Sequence, residues 1–266
     1  MKTGGKYVNY FQRRTRSVDK LLKKPPGMFT HHDFHELRVE IKKIRALLKF
    51  TGSVVKDFKW EPLFEQYKYL FRKAGKIREI HLEETVFKKY FGRDTLKNYR
   101  NCLGKIRLEE QKMFFRAISP GLKKNLKTSA GKILFSLEKV NKKEAFNYLE
   151  KKKKKIKRIM AKKSIKADRI HELRKRLKVF YYISKITRKK RLKKSFKRIE
   201  SFQDLLGQWN DKNVMMSHFK SGIGCLLSKN RELAQLKKIK TKILEERKKL
   251  FKKINTEIHG EFKFDF

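Results

Sequence analysis

Two short segments of the sequence carry the same arrangement of groups that bind phosphate. The sequence His-Glu-Leu-Arg occurs at residues 35–38 and again at residues 171–174, and a lysine follows each histidine by seven residues, as Lys42 and Lys178. Arginine offers a planar fork that holds two phosphate oxygens at once, whereas lysine offers a mobile point charge. The repeat therefore predicts two matching segments that bind an anion with several phosphate groups.

Each segment separates into a basic side and an apolar side when it is drawn as a helix of about 100° per residue. The basic side of the first segment is a stripe about 80° wide, with neighbouring cations about 5–6 Å apart; it contains His35, Arg38, Lys42, Arg45 and Lys49. Its core-facing side contains Leu37, Ile41, Ile44, Leu47 and Leu48. The second segment repeats this with His171, Arg174, Lys178 and Lys185 on the basic side and Leu173, Leu177, Phe180 and Ser184 on the packing side. Tyr181 stands where Arg45 does, and we expect it to weaken one wall of a binding site.

The two histidines leave two interpretations open. His35 and His171 either fix a helix start or a helix contact by hydrogen bonding, or donate to a phosphate whose charge favours the protonated ring. A metal site is less favoured, because only His31 and His35 of the nearby histidines share a helical face, and no carboxylate ligand is placed beside them. We expect neither a metal nor another cofactor.

A second repeated element follows each segment. It reads Gly-x-x-[Arg/Asn]-[Glu/Asp], at residues 75–79 and 207–211, and its first copy adds Arg78 as a candidate cation. Two repeated features in the same order indicate a duplicated helical unit. We expect a single domain over residues 1–266, with halves at about 1–140 and 141–266.

Helical periodicity and the positions of the four prolines predict an all-α fold without strands. The predicted helices cover about residues 7–24, 33–51, 62–91, 93–118, 122–139, 142–163, 167–187, 190–220 and 229–258. The lysine run 151–155 fits either a helix or a loose charged segment, and a solvated face is its simpler interpretation.

The composition indicates a polyanionic partner. The 74 Lys and Arg residues against 27 Asp and Glu give a net charge of +47, which fits nucleic acid, polyphosphate or an anionic membrane surface. Such a composition is also typical of disorder, but 12% aromatic residues argue for a folded chain that anions stabilise. We see no signal-peptide core and no membrane span, and two cysteines are too few for a disulfide framework. These observations favour the reducing cytoplasm.

The motifs resemble those of the conserved histidine α-helical domain family, CHAD. Its first signature, His-x-Leu-Arg-Val with paired basic residues and an aliphatic-Arg, is similar to residues 35–45. Its Leu-Gly-x-x-Arg-Asp element is similar to residues 74–79, with Glu79 for the aspartate. Its second signature, His-x-Leu-Arg-Lys, is similar to residues 171–178 with Tyr182, and its Gln-Asp-x-Leu-Gly-x-x-Asn-Asp element to residues 203–211. The resemblance spans about residues 5–255.

The resemblance implies two pseudo-symmetric helical bundles that form one CHAD-type domain with a central basic channel. It also implies binding of inorganic polyphosphate and association with polyphosphate granules. Together with the basic stripes it gives the candidate polyphosphate-binding residues, of which the last four rest on periodicity: His35, Arg38, Lys42, Lys43, Arg45, Arg78, His171, Arg174, Lys175, Lys178, Lys49, Arg72, Lys76 and Lys185.

Two other functions compete with this one. Nonspecific nucleic-acid binding by an architectural protein fits the charge, although no DNA- or RNA-reading motif is present. A phosphatase or kinase needs a metal held by clustered carboxylates, or a nucleophile with a base. The adjacent acidic pairs at 109–110 and 245–246 point in different directions on a helix and fit salt bridges better. We therefore expect no catalysis, and the sequence indicates no particular protein partner.

Overall fold

The structure, a computed structural model, describes residues 4–90, 96–162, 165–187, 193–222 and 230–260. These residues form nine α-helices and no strand, so the all-α prediction is confirmed. The helices are α1 (Gly4–Leu22), α2 (His31–Val54), α3 (Glu61–Tyr90), α4 (Lys97–Arg116), α5 (Pro120–Glu138), α6 (Lys142–Met160), α7 (Ala167–Thr187), α8 (Lys193–Gly222) and α9 (Asn230–His259). The predicted boundaries at 91, 93, 163, 190 and 229 lie outside the described residues. The lysine run 151–155 is helical, within α6.

The start of α2 lies two residues before its predicted position. Thr30 caps the helix, because its hydroxyl accepts the backbone N–H of Asp33 while the Asp33 carboxylate accepts the backbone N–H of Thr30. This reciprocal capping box satisfies two backbone donors that would otherwise lack partners. Lys24 also pairs with Asp33 at 2.6 Å. The first turn of α2, which directly precedes His35, is therefore fixed at both its backbone and its side chains.

One hydrophobic core draws side chains from all nine described helices. The apolar sides predicted for the two repeated segments are confirmed: Leu37, Ile41 and Ile44 of α2 are fully buried, as are Leu173 and Leu177 of α7. A smaller cluster joins the C-terminal parts of α3 and α8 to α4 and α9. Burial of these faces turns the basic sides of α2 and α7 away from the core.

Four helices close a ring around the basic sides. α2 packs on α3 and on α7, α7 packs on α8, and α8 packs back on α3. The ring therefore combines the two helices of the first repeat with the two helices of the second. None of the described helices is both long enough and apolar enough to cross a membrane.

One cysteine differs from expectation. Cys102 on α4 is disulfide-bonded, which is at odds with the reducing compartment that the cysteine number alone indicates. The number of cysteines does not report where the fold places them. Cys225 lies outside the described residues.

Candidate functional site

The basic stripe of α2 rests on an aromatic ring of α3. The guanidinium carbon of Arg38 lies 4.1 Å from the centre of the Phe71 ring, and Arg38 Nη1 donates a hydrogen bond of 2.8 Å to the Phe71 carbonyl. Lys42 and Arg45 each bring their charged group within 5.7 Å of the same ring. A cation over an aromatic face is attracted by the ring quadrupole. Phe71 therefore holds three successive cations of the stripe in one row.

Lys42 and Lys178, which occupy matching positions in the repeat, lie close enough across the contact between α2 and α7 for the charge of Lys178 to act on Lys42. The pKa of Lys42 is lowered to about 7, first by burial and then by the positive charge of Lys178. The pKa of Lys178 is lowered to about 8, first by burial and then by Arg174. Among the described residues, neither ammonium group forms an ion pair with a carboxylate. Two desolvated cations are thus held together without a direct counter-charge, which is costly for a protein that has no anion bound.

Arginines from both halves surround the two lysines. Burial lowers the pKa of Arg38, Arg78 and Arg174. The Nε of Arg174 is buried, and none of the described residues accepts its proton. We call the six cations of this site the cradle: Arg38, Lys42, Arg45, Arg78, Arg174 and Lys178.

One carboxylate acts on nearly the whole cradle. The charge of Asp211 acts to raise the pKa of Arg38, Arg78 and Arg174 and of both lysines. Glu79 occupies the matching position of the first repeat and acts on Arg38. The acidic residue of the repeated element thus faces the arginine of the repeated segment in both halves. Asp204 also acts on Lys178, so three carboxylates face six cations and the cradle stays strongly positive.

The two histidines flank the cradle at matching positions. The pKa of His35 is lowered first by burial and then by Arg78. The pKa of His171 is lowered mainly by burial, and His171 forms a hydrogen bond with Asn210, which matches Arg78 in the repeat. His171, Asn210 and Glu79 line one cavity of about 540 Å³, so side chains of the two halves meet there. Burial therefore favours the neutral form of both imidazole rings.

A model of the CHAD domain family matches residues 13–220 of the chain. The chain belongs to the CHAD domain family. Its fold is similar to the crystal structure of the CHAD domain from the plant Ricinus communis, with a TM-score of 0.76 and 15% sequence identity over 98% of this chain and 91% of that one. At that identity the similarity shows the fold alone. No curated protein sequence matches the chain.

The CHAD fold does not bring every predicted cation into the cradle. Three of them lie in ion pairs outside it: Lys43 with Glu40 at 2.7 Å, Lys76 with Glu110 at 2.9 Å, and Lys185 with Glu200 at 2.8 Å. Lys185 also lies over the ring of Tyr181, whose hydroxyl donates to Glu200. Tyr181 therefore points toward α8. As a result, the row of cations on α7 ends one position earlier than the row of cations on α2, which continues through Arg45.

The other predicted cations lie at the edges of the CHAD cradle. Lys49 and Lys175 are exposed. The pKa of Lys49 is lowered first by its partial burial, then by the charge of Arg45 and then by that of Lys175, so the two lysines lie near each other. Arg72 is exposed on α3. These positions are consistent with a row of cations that continues to the protein surface.

Sequence reasoning did not select Phe71, Glu79 or Asp211 as site residues. The two carboxylates stand in the repeated Gly-x-x-[Arg/Asn]-[Glu/Asp] element, so the repeat itself was the signal that could have identified them. Phe71 carries no such signal, because an aromatic residue on an amphipathic helix is usually a core residue. Among the described residues, no cluster of His, Cys, Asp or Glu is placed to hold a metal ion.

Proposed function

We propose that the protein binds inorganic polyphosphate in the cradle and does not catalyse a reaction on it. The observation that carries the proposal is the cluster of Lys42, Lys178 and Arg174, half-buried cations from opposite halves of the chain that lie where α2 packs on α7. Such a cluster is unfavourable until an anion neutralises several of its charges at once. A linear chain of phosphates supplies one negative charge after another along a row of cations.

The recessed position of the cradle favours a thin polyanion over a nucleic-acid duplex. Its cations lie between four packed helices and most are half-buried or more. A duplex is normally bound by exposed basic surface, or by a helix or strand that enters a groove. A flexible phosphate chain has no bases to accommodate and reaches cations that a duplex does not. The CHAD family resemblance supports the same ligand.

A binding role rather than a catalytic one is supported by the acidic pairs that sequence analysis singled out. Glu109 pairs with Lys112 at 3.0 Å, and Glu110 pairs with Lys76. Glu246 pairs with Lys89 at 3.0 Å and with Lys212. Three of the four carboxylates of these two pairs are thus used in salt bridges. We also propose that the protein associates with polyphosphate granules, where its ligand is concentrated.

A competition experiment tests the proposed ligand. The protein is bound to fluorescent long-chain polyphosphate in moderate salt, and double-stranded DNA is added at equal phosphate concentration. We expect the DNA to leave most of the polyphosphate bound. Complete displacement would support the architectural nucleic-acid function instead, and release of orthophosphate with magnesium or manganese present would contradict the non-catalytic role.

A further inference from the structure

The row of cations on α2 does not end at the cradle. The ammonium group of Lys49 lies 5.4 Å from the ring centre of Trp60, just before α3. Burial lowers its pKa most, followed by the positive charges of Arg45 and Lys175. Lys49 is thus close to the cradle on one side and to α7 on the other, at the point where α2 reaches the surface.

Beyond Lys49 the positive charge continues onto α6. The ammonium group of Lys152 lies 4.8 Å from the ring centre of Tyr148 and is partly buried. Its pKa is lowered first by burial and then by the charges of Lys155, Arg176 and Lys49. Because Lys49 acts on Lys152 and is itself acted on by Arg45, the charged groups form an uninterrupted series from the cradle to α6.

A cavity of about 690 Å³ extends this series between α6 and the turn after α2. On a helix of about 100° per residue, Lys151, Lys152 and Lys155 lie on the Tyr148 side of α6, whereas Lys154 and Lys157 lie on the other side. We call the first three the α6 lysine face. The cavity is lined by this face and by Lys56 and Lys59, with Asp57 and Glu144 as its acidic residues. Five lysines against two carboxylates make it a second positive cavity.

We propose that the α6 lysine face is a second binding segment for polyphosphate, which holds the part of a long chain that leaves the cradle past Lys49. This inference rests on the proposed function. At the matching end of the row on α7, Tyr181 and Lys185 are both engaged with Glu200, so among the described residues of that end neither side chain extends the row. The cations from Lys49 to the α6 lysine face give a long chain a path out of the cradle toward α6, and the protein is expected to prefer long chains over short ones.

Binding of two ligands of different length tests the inference. Tripolyphosphate is shorter than the about 16 Å along α2 from Arg38 to Lys49, so it fits in the cradle without reaching α6. Long-chain polyphosphate reaches both. The test variant carries Lys152→Glu and Lys155→Glu, and Lys152→Gln with Lys155→Gln serves as a milder version. The control variant, Lys154→Glu with Lys157→Glu, makes the same change of charge on the other side of α6.

We expect the test variant to bind long-chain polyphosphate about tenfold more weakly than wild type, with a smaller salt dependence, and tripolyphosphate within about twofold of it. The control variant is expected to bind both ligands like wild type. Equal losses in the two variants, or equal losses for the two ligands, would overturn the second segment while leaving the cradle as the binding site. If wild type bound neither ligand, the second segment and the proposed function would both be wrong.

Discussion

The guanidinium of Arg38 occupies the space where a side chain at position 75 would begin. A Cβ atom built on Gly75 would lie 2.2 Å from Arg38 Nη1, which is far inside van der Waals contact. Gly75 is buried in the middle of α3, where glycine costs about 0.5–1 kcal/mol relative to alanine. The absence of a side chain there lets Arg38 cross α3 and reach the Phe71 carbonyl. Gly207, its counterpart in the second repeat, has no atom within 4 Å of an added Cβ.

This asymmetry predicts different results for the same substitution in the two repeats. Gly75→Ala is expected to displace Arg38 from Phe71 and to weaken polyphosphate binding several-fold, because the first cation of the row loses its position. Gly207→Ala is expected to leave binding unchanged and to raise the free energy of unfolding by up to about 1 kcal/mol. Titration calorimetry and urea unfolding of both variants measure these effects. Unchanged binding by Gly75→Ala would show that the contact of Arg38 with Phe71 of α3 is not needed for polyphosphate binding.

Removal of a central lysine should stabilise the protein that has no ligand. Lys42→Met keeps the apolar length of the side chain but removes a desolvated charge, so we expect the free energy of unfolding to rise by about 0.5–2 kcal/mol. The same variant should bind polyphosphate more weakly. Lys154→Met, at an exposed position of α6, is expected to change stability by less than about 0.5 kcal/mol. A Lys42→Met variant that is less stable than wild type would mean that the ammonium group has a stabilising partner.

Polyphosphate binding should weaken as the pH rises from about 7 to about 9. Lys42 and Lys178 lose their protons in this range in the free protein, because their pKa values are about 7 and about 8. A bound polyanion favours the protonated lysines, so binding takes up protons. Calorimetry in buffers of different ionisation enthalpy measures this uptake. Affinity that stays constant from pH 6.5 to about 9.5 would contradict it.

The same pKa values determine how stability depends on pH. The pKa of Lys42 is about 7 in the folded protein and 10.5 in the unfolded reference, so the unfolded chain binds more protons between these values. Stability contributed by this group therefore rises with pH from about 7 to about 10.5. The advantage of Lys42→Met over wild type should be largest near pH 7 and disappear toward about pH 10. Urea unfolding of both proteins across this range measures the difference.

The sequence predicted the features that depend on period and repetition. Spacing alone placed Leu37 and Ile41 in the core, because a helix buries its apolar side wherever it packs. The repeat of His-Glu-Leu-Arg pointed to Lys42 and Lys178 as partners in one site. The packing of α2 against α7 then brings the two lysines close together.

The remaining features depend on neighbours that no local pattern reveals. Lys43 follows Lys42 directly, yet the helix turns it toward Glu40, which also binds Arg14 of α1 at 2.9 Å. In the sequence, Lys152 is one of five consecutive lysines, and only the packing of α6 shows that it lies near Lys49. Such contacts join residues far apart in the chain, so their identity follows from the packing of helices rather than from spacing.

The affinity of a double charge reversal tests most directly whether the two halves bind one polyanion together. Arg38→Glu with Arg174→Glu changes one cradle cation in each half, and Lys154→Glu with Lys157→Glu makes the same change of charge on exposed α6. We predict that the cradle variant loses at least about a hundredfold in affinity for long-chain polyphosphate in moderate salt, whereas the α6 variant loses less than about threefold. Circular dichroism checks that each variant is folded. The neutral pair Lys42→Gln with Lys178→Gln removes cradle charge without reversing it, which is a milder change to the fold. Equal losses in the two charge-reversed proteins would show that overall charge, and not the cradle, binds polyphosphate.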